Sequence, residues 1–234
     1  MNSPTLASSS GDLKQITCYF DFISPYAYLA FKLLPETLAG ISYSMRYKPV
    51  LFGAMLKHHG QLGPAEIAPK RDWTYRQILW LAHSHGIELQ MPASHPFNPL
   101  ALLRLAVACS PEADPASPSR HVCETIFRHV WQGRLEASDP ARLEDLGSVL
   151  SPRREVNDDD VKAQLKRNTD EAIALGVFGV PTFVVDSKVF WGLDALPMLR
   201  AYLRGDAWFD GPDWESVDCV QMGIRRQQVS NLPA

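Results

Sequence analysis

The chain has 234 residues, 46% of them hydrophobic, with 23 Lys and Arg against 26 Asp and Glu and a net charge of −3. That size and apolar content suit one compact domain with a sizeable core, and a near balance of charge without a long basic run argues against a nucleic-acid partner. No apolar stretch approaches the roughly 18 residues of a membrane span, and the first twelve residues lack the basic start and apolar centre of a signal peptide. The expectation is a cytoplasmic protein with no membrane partner and a short, disordered, Ser-rich head.

In chain order, residues 15–23 alternate as a buried strand ending in Tyr19-Phe20-Asp21-Phe22-Ile23, and Tyr26 to Leu38 carries the apolar spacing of a helix. A second strand is expected over 42–48, with Pro35 and Gly40 marking the end of the intervening helix. From about 64 to 156 no strand is predicted. Helical patterns instead run over 70–85, 98–109, 119–132 and 139–150, with Val122, Cys123, Ile126, Phe127, Val130 and Trp131 forming one apolar stripe. Asn157 to Asp160 places negative charge at the start of a helix reaching Leu175. Strands near 182–186 and 188–191 and a helix over 194–204 close the pattern. The remainder, from Ala207, carries no readable motif.

The junction Ser24-Pro25-Tyr26-Ala27 sits where the first strand becomes a helix. Unpaired N–H groups and a partial positive charge at a helix start stabilise a thiolate, which redox proteins supply there from Cys-x-x-Cys. Here the first position is serine and the fourth alanine, so the chain offers a hydroxyl donor and no sulfur of its own. Serine followed by proline is also a well-made helix start and nothing more on its own. A second element supports the functional reading: Phe178-Gly179-Val180-Pro181-Thr182 runs from a helix into a strand through a Val-Pro step that suits a cis proline. The four cysteines, Cys18, Cys109, Cys123 and Cys219, have no Cys-x-x-Cys spacing and read as reduced, mostly core thiols. His83 and His85 point to different helix faces and His58-His59 are adjacent, so no metal site is expected. The acidic run near 158 lacks the other ligands of a calcium loop.

In order along the chain, Tyr19-Phe-Asp-Phe-Ile-Ser-Pro-Tyr-Ala-Tyr-Leu-Ala30, Gly60-Gln-Leu-Gly-Pro64 with Lys70 and Trp80-Leu-Ala82, Phe178 to Thr182, and Phe190-Trp-Gly-Leu-Asp194 resemble the glutathione-dependent 2-hydroxychromene-2-carboxylate isomerases. These are relatives of kappa-class glutathione transferases with a DsbA-like thioredoxin fold. The likeness spans roughly residues 15 to 204. It departs at Gln61, where asparagine is frequent, at Gln77, where aspartate is, and at Leu193, where a polar side chain usually stands.

The resemblance implies an α/β fold: a thioredoxin-like domain of residues 15–62 and 157–206, split by a helical insertion of 63–156, with a head of 1–14 and a tail of 207–234. It implies glutathione as cofactor, a small aromatic substrate, and allows a homodimer. The activity implied is cis–trans isomerisation of an aromatic enone carboxylate by reversible addition of the glutathione thiolate. Ser24 would stabilise the thiolate as the catalytic residue. Val180 would pair with the cysteinyl backbone, Asp194 would accept from the γ-glutamyl ammonium, Lys70 and Gln61 would meet a carboxylate, and Leu193 would offer backbone groups. Phe22, Tyr26, Phe52 and Trp191 would wall the substrate pocket, unless they are ordinary core. Two alternatives stand beside this: a kappa-like transferase or peroxidase, and a non-catalytic thioredoxin-like module binding peptides at the Val180-Pro181 edge.

Overall fold

The computed structural model describes residues 13–221 and 223; the expected disordered head lies almost wholly outside them. A four-stranded mixed sheet has the order β2-β1-β3-β4. Strand β1 (Lys14–Phe20) pairs parallel with β2 (Tyr43–Pro49) and antiparallel with β3 (Thr182–Val185), which pairs antiparallel with β4 (Lys188–Trp191). Helix α1 (Pro25–Thr37) is the crossover between the parallel strands, as parallel pairing requires. Short helix α2 (Phe52–His58) and α3 (Ala68–Ser84), α4 (Leu100–Ala108), α5 (Arg120–Trp131) and α6 (Pro140–Leu150) follow, with no strand among residues 64–156. Helix α7 (Asp159–Ala174) leads back to β3, and α8 (Leu196–Leu203) follows β4.

The helix starts follow from their capping chemistry. Ser119 accepts from the Val122 N–H, and Asp139 accepts from the Arg142 N–H with Pro140 in the first turn. Asp159 and Asp160 lie in the first turn of α7, where the helix dipole favours them. All six residues of the predicted α5 stripe are buried. They pack beneath the sheet with Phe20, Phe22, Tyr28 and Phe31; Phe127 alone has ring centroids 4.9 Å from Phe22 and 5.2 Å from Phe31. Each such burial contributes about 2 kcal/mol, so the helical insertion and the sheet share one core. Strand alternation turns Tyr19 away from Cys18 and Phe20, into a smaller cluster with Val50, Met55, Val177 and Val180.

Two expectations are corrected. The first strand ends at Phe20, not at residue 23: the Ser24 N–H donates to the Asp21 carbonyl at 3.1 Å, so Asp21 to Ile23 form a turn. The segment after Ala207 is also less featureless than its sequence. A 3₁₀ turn at Ala207–Asp210 and helix α9 (Pro212–Glu215) bring Phe209 and Trp214 against Phe190 and Tyr202. No helix among the described residues is long and apolar enough to cross a membrane.

Candidate functional site

Ser24 stands at the end of the β1–α1 turn, 7% exposed. Its Oγ accepts from the Ala27 N–H at 3.2 Å, which caps α1, and its hydroxyl donates to the Val180 carbonyl at 3.3 Å. The capping role is therefore real, but a cap needs no contact 156 residues away. That second bond joins the helix start to the proline turn, where the Val180–Pro181 peptide is cis as expected. The turn is pinned on both sides: the Thr182 hydroxyl donates to the Gly179 carbonyl at 2.7 Å, and the Gly192 N–H to the Pro181 carbonyl at 2.9 Å. The Val180 N–H makes no hydrogen bond to a described residue.

A cleft of about 730 Å³ opens beside this junction, between α1, α3, the proline turn and the β4–α8 turn. It brings together Tyr26, Val180, Trp191, Leu193 and Asp194 of the predicted set. The Tyr26 hydroxyl donates to Gln77 Oε1 at 2.6 Å and ties α1 to α3, and burial raises the Tyr26 pKa. Trp191 is half exposed at the rim, its ring tilted 53° against Phe178 with centroids 4.7 Å apart. Asp194 precedes α8 without capping it: Ala195 is the N-cap residue and no side-chain cap bond forms. Its carboxylate folds instead over Gly192, whose φ is +98°, and a Cβ there would collide with Oδ1.

Ser24 is not among the lining residues but bonds to Val180, which is; the other four predicted residues lie elsewhere. Phe22 is fully buried against Phe20 and Phe127, a core residue rather than a pocket wall. Phe52 packs on the smaller cluster around Tyr19. Gln61 and Lys70 are exposed and outside the cleft walls; Lys70 stands two turns, about 10 Å, up α3 from Gln77 on the same side. The walls carry Glu36, His85 and Asp194 and no Lys or Arg.

Sequence reasoning missed Leu33, Thr37, Leu81 and His85, and gave Gln77 no role in the site. The signal was present in helical spacing: Leu33 and Thr37 follow Tyr26 at intervals of seven and four on α1, and Gln77, Leu81 and His85 recur every four on α3. Asp21 was also missed. It is 1% exposed, accepts from the Ile23 and Phe52 N–H groups at 3.1 Å each, and burial raises its pKa to about 7 against those two bonds. Among the described residues no three His, Cys, Asp or Glu side chains are grouped to hold a metal.

The profile of the DSBA-like thioredoxin domain matches residues 15–204. The chain belongs to that family. Among its DSBA-like relatives, a 2-hydroxychromene-2-carboxylate isomerase of Sphingobium xenophagum is 27% identical over 197 residues, covering 81% of this chain and 98% of that one. Glutathione S-transferase kappa 1 of Rattus norvegicus is 24% identical over 216 residues, covering 83% and 92%. A solved 2-hydroxychromene-2-carboxylate isomerase superposes with a TM-score of 0.69 at 22% identity, covering 86% of this chain and 98% of that one. A cytosolic disulfide reductase of Pseudomonas aeruginosa gives 0.53 at 16% identity, covering 81% and 98%. The DSBA-like fold read from the sequence is thus the fold found. Within it, this chain has Ser24 and Ala27 at the helix start; Cys18, Cys109 and Cys123 are buried and Cys219 is exposed.

Proposed function

We propose that the protein is a cytoplasmic, glutathione-dependent isomerase of aromatic enone carboxylates, of the chromene carboxylate to benzylidenepyruvate type. The observation that supports this reading above all is Ser24: a buried hydroxyl at a helix N-terminus, bonded to the residue before a cis proline, with no protein thiol beside it. Glutathione held beside Ser24 would supply the nucleophilic thiolate for reversible addition to an enone.

The residues present fit that molecule. The Ser24 hydroxyl can turn from the Val180 carbonyl to a sulfur anion, and the first N–H groups of α1 favour negative charge there. The free Val180 N–H is a donor for an extended peptide backbone. Asp194, not spent on a cap, can accept from an ammonium group. Lys70, two turns along α3 from Gln77 on the same side, is the candidate for a carboxylate beyond the walls. Tyr26, Leu33, Leu81 and Trp191 supply the apolar surface for an aromatic ring.

A second reading, a kappa-like glutathione transferase or peroxidase, is favoured by one feature: walls without Lys or Arg suit an uncharged electrophile better than an acid. Titration calorimetry with reduced glutathione tests the shared core, with saturable heat expected in the micromolar-to-millimolar range, roughly −4 to −8 kcal/mol. No heat at millimolar glutathione removes both readings. Product analysis with a chromene carboxylate against a chlorinated aromatic electrophile then separates isomerase from transferase.

A further inference from the structure

The turn that carries Ser24 is held from the helical insertion by two ring N–H groups. His95 Nε2 lies 2.9 Å from the Ile23 carbonyl, and Trp131 Nε1 donates to the preceding Phe22 carbonyl at 3.0 Å. A carbonyl can only accept, so His95 carries its proton on Nε2 and leaves Nδ1 as an acceptor. The Tyr75 hydroxyl lies 2.8 Å from that Nδ1 and 2.9 Å from the His95 carbonyl, so its one hydrogen faces two acceptors. The ring is further boxed by Trp131, Phe97 and Tyr75, with centroids 5.7, 6.1 and 5.4 Å away, and burial lowers its pKa. Tyr75 belongs to α3, the helix that also presents Gln77, Leu81 and His85 to the cleft.

We propose that His95 is a positioning residue for Ser24. Through Tyr75 and Ile23 it fixes the α3 wall of the cleft against the turn that aims the serine hydroxyl. Three backbone anchors converge on this turn: the Asp21 carboxylate on the Ile23 N–H, Trp131 on Phe22 and His95 on Ile23. Of these, the His95 bond is the one one residue from Ser24 that originates in the cleft wall's own neighbourhood. Without it the Ile23–Ser24 peptide is held by the Ser24 N–H bond to the Asp21 carbonyl alone, and the hydroxyl holds its direction relative to Val180 less firmly. His95 touches no substrate in this scheme, so its loss acts on Ser24's orientation rather than on ligand contacts.

The test compares His95→Phe, which keeps the ring shape without a donor, with His95→Gln, whose amide can again donate to Ile23; Tyr75→Phe is the milder third variant. Amide hydrogen exchange of the segment 21–28 is read against peptides from α5 and α7. His95→Phe should speed exchange in 21–28 by about two- to tenfold, the range one net hydrogen bond supplies, while α7 stays as in the parent, and Gln should recover most of it. Unchanged exchange in 21–28 with His95→Phe, or equal acceleration everywhere, overturns the proposal. If His95→Phe does not fold, Tyr75→Phe must show the same localised effect, and exchange like the parent's then overturns the proposal. A second arm rests on the functional reading above: His95→Phe should lower kcat and the absorbance of bound thiolate with KM for glutathione unchanged, whereas a raised KM with unaltered kcat overturns the positioning role. A parent that binds no glutathione defeats the functional reading, and hydrogen exchange still decides the clamp.

Discussion

Ser24 serves two bonds through one oxygen, and only one of them is a cap. Ser24→Ala removes both and should cost about 1 kcal/mol of stability, which by itself separates nothing. Ser24→Asp is the decisive change: it still accepts from Ala27 N–H but has no proton for Val180 or for a sulfur anion, and it adds like charge. The expected outcome is a folded protein whose bound glutathione has a raised thiol pKa and weaker thiolate absorbance at neutral pH; retained ionisation and turnover would leave Ser24 a cap alone. Asp194→Ala should weaken glutathione binding while leaving the saturated rate nearly intact, as loss of uniform binding does. Asp21 makes a different, pH-dependent prediction. Its folded pKa of about 7 lies above the ordinary aspartate value of 3.8, so between those values the folded state holds a proton that the unfolded chain has lost. Stability then falls as pH rises through that window and is flat outside it. Urea unfolding of the parent against Asp21→Asn should show the difference moving in the variant's favour from about pH 4 to about pH 7, and a constant difference would refute the buried-acid assignment.

At the scale of elements, the proline turn and the β4–α8 turn hold the cleft open through two glycines. A Cβ at Gly179 would lie 2.5 Å from Trp191 Nε1, inside any real contact, so Gly179→Ala must push the indole off its seat on Phe178. The chain around it is well buried and tied to Thr182, so the expected result is a changed Trp191 environment with the fold retained. Near-ultraviolet circular dichroism and fluorescence quenching should both report it; spectra identical to the parent would mean the indole is not packed on that glycine. Helix α3 contributes to the cleft through Gln77, Leu81 and His85 while its outward face shows Trp73 and Trp80, each more than 60% exposed. Its sequence has weak amphipathic contrast, which is why the pattern located the helix but not its cleft-facing side.

For the whole molecule, thiol chemistry gives an accessible measurement of where the cysteines sit. Burial pushes Cys18 up to about 12 and Cys109 to about 11, and Cys123 is raised well above its ordinary value, whereas Cys219 is exposed. The thiolate is the reactive form, so the native protein should show one fast thiol toward a disulfide reagent and four after unfolding. Two or more fast native thiols would place a cysteine nearer the surface than the shared core of sheet and insertion allows.

The sequence by itself determined the order of elements and pointed to the two segments that meet at the candidate site. Strand alternation, Ser-Pro at a helix start and Val-Pro before a strand are local signals, fixed by backbone sterics and capping within a few residues, and so Ser24, Val180 and the α5 stripe were legible without coordinates. The sequence also showed the missing sulfur, since Ser24 and Ala27 stand where a dithiol would. What only the tertiary structure decided was which side chains share a space. Phe22 and Tyr26 are equally aromatic and four residues apart, yet one is sealed under Phe127 and the other bridges to Gln77, because the turn at Asp21 redirects the chain between them. Gln61 left the walls because it precedes α3, and Lys70 because it stands two turns along that helix from Gln77, beyond the stretch that meets α1; Gln77 and His85 entered them because the packing of α3 beside α1 brings only that end of the stripe to the cleft, a placement set by contacts between residues far apart in sequence. His95 illustrates it most fully, since a histidine 72 positions from Ile23 carries no local sign of the carbonyl it holds.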